Sequence, residues 1–125
     1  MSLLKTTMIL NAVSCLCFGG LFAVFSAQVD AFIGNPIKLV TPIIGVILIV
    51  NGIHLLLATR RQTIIKLEIY YFILGDVAWV IASIILILLG IAITSTQGVW
   101  VAAIVAGMVG TFGLLQYLGL RSAKV

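Results

Sequence analysis

Asp76 raises the first chemical question of this sequence. It sits in YFILGDVAWVIASIILILLG, and after the opening tyrosine no other residue of that run ionises. A carboxylate among so many apolar residues needs a proton, a partner or water. Polar side chains that could serve it lie elsewhere in the chain: Asn51 and His54, Gln116, Asn11 and Ser14. Asn51, His54 and Ala58 fall at i, i+3 and i+7 on one helical face, and Asp76 and Ser83 share another, flanked by Phe72, Trp79 and Val80. A carboxyl set against an imidazole is a pair whose protonation responds to its surroundings. Asp76 with Asn51 or His54 is therefore the expected site of a proton-linked switch, with Trp79 and Phe72 as its apolar wall.

The elements that must position these residues follow from composition. With 63% hydrophobic and 8% charged residues in 125 and a mean hydropathy of +1.36, the chain has more apolar surface than a soluble domain of this size can bury. Four apolar runs, about 6–28, 39–58, 67–94 and 99–120, each approach or exceed the ~20 residues needed to cross a bilayer. The first is too long for the apolar core of a signal peptide. The expected fold is all-α, a four-transmembrane-helix bundle in a single integral membrane domain, residues 1–125. Pro36 and Pro42 sit before and in the first turn of the second helix, where a missing backbone donor does little harm.

Of the seven basic residues, Lys5, Arg60, Arg61, Lys66, Arg121 and Lys124 fall at the two termini and the middle connection, and Lys38 alone falls elsewhere. The positive-inside rule then expects both termini in the cytoplasm, in a cell (inner) membrane. An offset of 61 residues superposes Lys5 on Lys66, Gly52 on Gly113 and Arg60 on Arg121, the pattern of a tandem duplicated helical hairpin. Unrelated apolar sequences also match by chance. Small residues recur every four positions in the first helix (Gly19, Ala23, Ala27) and in the last (Ala102, Ala106, Gly110, beside Ala103 and Gly107). They are expected to carry close helix contacts, within the chain or between chains.

Counting about 1.5 Å per residue from the basic end places Asp76 ~15 Å, Asn51 ~13 Å, His54 and Asn11 ~9 Å and Gln116 ~8 Å into the membrane. Polar groups thus gather in one half, the pattern of a recess open toward the inner face. Structural roles compete for each of them: an Asp with an amide partner can simply lock two helices, and Glu68 beside Arg60 and Arg61 suits an interfacial ion pair. Cys15 and Cys17, two apart, point to nearly opposite helix faces and are read as small buried residues. No cofactor is specified. One histidine cannot supply two axial haem ligands within one chain, though symmetry or a methionine could complete them, and neither a zinc or di-iron spacing, a Ser/His/Asp order matched in depth, nor a phosphate-binding glycine loop is present. In outline, four short helices with one membrane carboxylate resemble the small multidrug exporters, but those keep the carboxylate in the first helix, and here that helix has none.

The expected function is a proton, cation or small-amphipath binding site in a minimal transporter or sensor, with Asp76, His54, Asn51, Trp79 and Gln116 as its residues. The alternative is a non-catalytic accessory or assembly subunit of a larger membrane complex. Expected partners are membrane lipids and either further copies of the chain or a larger complex. The net charge of +4 marks orientation and attraction to anionic headgroups, not nucleic-acid binding.

Overall fold

The computed structural model describes residues 3–61, 63 and 65–122. Among them are five helices: α1 (Leu3–Val24), α2 (Ser26–Ile33), α3 (Val40–Thr59), α4 (Lys66–Leu89) and α5 (Thr96–Ser122). All but α2 are long and apolar enough to cross a membrane. Their outward faces are lined with exposed leucine, isoleucine and valine. In water such surface would be costly; in hydrocarbon it is the expected covering. The chain fits a membrane protein built as a helical bundle.

Two helices end well short of the sequence expectation. The first helix breaks at Phe25, where φ −110° and ψ 36° leave the helical region, and the chain resumes as α2. The third apolar run ends at Leu89 because Gly90 takes a left-handed φ of 66° and its N–H returns to the Ile87 and Leu86 carbonyls. This glycine cap outweighs the apolar residues beyond it.

At the end opposite Arg60 and Arg61, α2 ties the α2–α3 and α4–α5 connections together. Its last carbonyls would otherwise lack partners. Ile33 O accepts the backbone N–H groups of Thr94 (2.8 Å) and Ser95 (3.1 Å), and Thr94 Oγ1 donates to Gly34 O at 2.8 Å. The Asp30 carboxylate accepts from Asn35 Nδ2 at 3.0 Å and from Thr41 Oγ1, fixing the start of α3.

Helix pairing follows the small residues. α3 lies along α1, α4 along α5, and α1 joins the two pairs by packing on α5. A Cβ on Gly45 would fall 2.6 Å from Ala23 N, and one on Gly19 2.8 Å from Gly45 O, so α1 and α3 touch backbone to backbone. Gly119 lets α5 approach the Leu4 backbone in the same way, within 2.9 Å of an added Cβ. The neighbour relation expected between α3 and α4, inferred from their short connection, is not a packed one. They meet through side chains near the basic end, where His54 reaches Glu68 and Phe72. On α5, Ala106 is buried, but Gly107, expected at a close contact, faces open space.

The backbone contacts make a direct prediction. Gly45→Leu should lower stability by about 2 kcal/mol, the cost of overpacking a closed interface. Gly107→Leu should stay within about 0.5 kcal/mol. Thermal unfolding of both variants in detergent checks this; equal tolerance would contradict the α1–α3 crossing.

Candidate functional site

Asp76 lies midway along α4 and is 5% exposed. Its carboxylate is held from two other helices. Asn11 Nδ2, on α1, donates to both oxygens (3.3 and 3.1 Å), and Gln116 Nε2, on α5, donates to Oδ2 at 2.6 Å. Asn11 is 2% exposed and Gln116 0%. Gly113 makes the arrangement possible: a Cβ there would lie 3.2 Å from Asp76 Cβ and 3.6 Å from Oδ2. α5 therefore brings Gln116 in over a glycine one turn earlier.

The polar chain continues past Asn11. Cys15 donates its thiol to Asn11 Oδ1 at 3.7 Å, and Asn51 Nδ2, on α3, donates to Cys15 Sγ at 3.6 Å. All four long helices thus share one hydrogen-bonded line, Asn51 to Cys15 to Asn11 to Asp76 to Gln116. Its thiol contacts are the weakest, since sulfur is a poor donor and acceptor. Among the described residues no cation pairs with Asp76, and no group of three histidine, cysteine or acidic side chains could hold a metal. One atom stands out: Gln116 Oε1 is buried with no hydrogen-bond partner among the described residues, an arrangement that costs free energy in a low-dielectric interior.

The structure distributes the expected site residues differently from the sequence reading. Asp76 and Gln116 meet directly. Asn51 reaches Asp76 only at two removes, through Cys15 and Asn11. His54 belongs to a second cluster: its Nε2 lies 2.9 Å from Glu68 Oε2, Arg61 donates to the other Glu68 oxygen, and its ring sits edge-on to Phe72 at 4.8 Å. Glu68, one turn before Phe72 on α4, is the acidic group within reach of the imidazole, so His54 pairs with it and not with Asp76. Trp79 is partly buried three residues beyond Asp76.

Asn11 and Cys15 are the residues that sequence reasoning undervalued. The signal was their i, i+4 spacing on a face that also carries Met8, Ala12 and Gly19, all buried. Cys17, expected to be buried, is exposed; two residues along a helix it faces away from Cys15.

Beneath the polar line, Leu4, Met8, Leu55, Ile69, Phe72 and Leu120 form a core toward the basic end. On the other side a shallow groove of about 340 Å³ between α4 and α5 reaches Asp76 from the lipid-facing surface, walled by Ile73, Val80, Gly110 and Tyr117. No family model, curated protein or solved structure matches the chain.

If the carboxylate organises the two amides, removing it alone is worse than removing all three groups. Asp76→Leu should cost about 2 kcal/mol by stranding Asn11 and Gln116. The triple variant Asn11→Leu/Asp76→Leu/Gln116→Leu should be the more stable of the two in detergent unfolding. A triple variant less stable than Asp76→Leu would show that the amides do not depend on the carboxylate.

Proposed function

We propose that the protein is a small multipass membrane transporter or sensor in which Asp76 takes up and releases a proton, or pairs with a small cation. The observation that carries this reading is a buried carboxyl, midway along a spanning helix, held by amides from two other helices and with no cationic residue paired to it among the described residues. A charge at such depth is expensive, and a proton or a bound cation neutralises it. Gln116 supplies the switch. With the carboxylate charged, its Nε2 donates to Oδ2; with a proton on Oδ2, the amide turned over presents Oε1 as acceptor for the carboxyl O–H. In each arrangement one end of the amide is engaged, so the proton on Asp76 selects which end faces the carboxyl. Because Asn11, Asp76 and Gln116 sit on α1, α4 and α5, the choice bears on how three helices pack. The groove between α4 and α5 offers a small amphipathic molecule a path to the same carboxyl.

Both termini are placed in the cytoplasm in this reading, on the strength of Lys5, Arg60, Arg61, Lys66 and Arg121 at one end; Lys124 lies outside the described residues. A duplicated origin is supported by burial. At the 61-residue offset the buried positions Asn11/Phe72, Cys15/Asp76, Gly52/Gly113 and Leu55/Gln116 coincide, so the first hairpin keeps a thiol and a leucine where the second carries its carboxyl and amide.

A second reading, an accessory subunit or an assembly of several copies, rests on Gly107 and Gly75. Both face outward with no atom within 4 Å of an added Cβ, on surfaces where small residues let another helix approach.

The test is pH-dependent fluorescence of Trp79 in a Trp100→Phe background. The signal should change between mildly acidic and mildly alkaline buffer and become flat in Asp76→Asn, which keeps the shape but cannot ionise. A flat parent signal, or a response that Asp76→Asn leaves unchanged, would return Asp76 to a purely structural role.

A further inference from the structure

At the basic end, a second groove of about 340 Å³ runs between α1 and α3, away from Asp76. Its α3 wall is Ile53, Leu56 and Leu57, spaced i, i+3 and i+4, and the next residue on that face, at i+7, is Arg60. Ile9 forms the α1 wall. Thr59, at the rim, donates its hydroxyl to Leu56 O at 2.7 Å and so caps its own helix. The two arginines of the connection have different situations. Arg61 is engaged by Glu68, whereas Arg60 is exposed and has no ion-pair partner among the described residues. An apolar groove therefore leads to a guanidinium with no ion-pair partner among the described residues.

We infer that this groove is a docking site for an anionic phospholipid, with one acyl chain along Ile9, Ile53, Leu56 and Leu57 and the phosphate on Arg60. Arginine suits the phosphate because its planar fork donates two parallel hydrogen bonds. Charge complementarity selects the occupant: a zwitterionic lipid gains the same apolar contact but brings its own cation to the guanidinium. Lys5, one turn before Ile9 on α1, adds positive charge to the same end. The site owes nothing to the Asp76 reading and stands or falls separately from it.

Native mass spectrometry of the full chain in mild detergent tests it, with phosphatidylglycerol and phosphatidylcholine of identical acyl chains added in turn. The parent protein should bind phosphatidylglycerol about fivefold more tightly, the factor equivalent to ~1 kcal/mol per basic residue at an anionic surface. Arg60→Gln should remove that preference, and Ile53→Trp, which fills the groove at an exposed position, should weaken both lipids. Lys66→Gln, on α4, should leave the preference intact, and inorganic phosphate should not displace the lipid. Equal binding of the two lipids by the parent overturns the site, as does a preference that survives Arg60→Gln. Equal loss in Lys66→Gln would mean a diffuse basic surface, displacement by phosphate a plain anion site, and a dimer lost on Ile53→Trp a contact between copies; each also overturns it.

Discussion

A carboxylate within hydrocarbon has no water to solvate it, and the protein must supply what water would have supplied. Around Asp76 that requirement organises the bundle. Two amides, from α1 and α5, reach one carboxyl on α4, and the line extends through Cys15 to Asn51 on α3. Apolar faces alone would not hold these helices in register, because lipid tails satisfy leucine as well as another helix does. The directional bonds to Asp76 fix the relative height and rotation of α1, α4 and α5.

Small residues make those bonds reachable. Gly113 lets α5 lie against Asp76, Gly119 lets it cross Leu4, and the Gly19–Gly45 contact holds α3 close to α1, in reach of Cys15. The hydrogen bonds between α2 and the Thr94–Ser95 segment tie the far end of the bundle. At the basic end the His54–Glu68–Arg61 cluster bridges α3 to α4.

Fold class was legible because apolar length and composition act locally: four runs long enough to cross a bilayer became α1, α3, α4 and α5. Which helices face one another was not. Short connections suggested α3 beside α4, and hence Asp76 beside Asn51 and His54; close backbone approach at Gly19 and Gly45 instead paired α3 with α1. Rotation about each helix axis decided the rest, sending His54 to Glu68 and leaving Gly107 outward while Ala106 turned in. Composition reports neither quantity. The i, i+4 spacing of Asn11 and Cys15 was the local signal of the partner face on α1.

The central claim is that Asp76 gains and loses a proton inside its amide cradle. Infrared difference spectroscopy across a pH titration observes the carboxyl directly, through the C=O stretch that only the protonated acid shows. A carboxyl band should fade as pH rises, be missing in Asp76→Asn, and move in frequency in both Asn11→Ala and Gln116→Ala, because each removes a hydrogen bond to the group. A spectrum with no titrating carboxyl band, or a band that persists in Asp76→Asn, would contradict it.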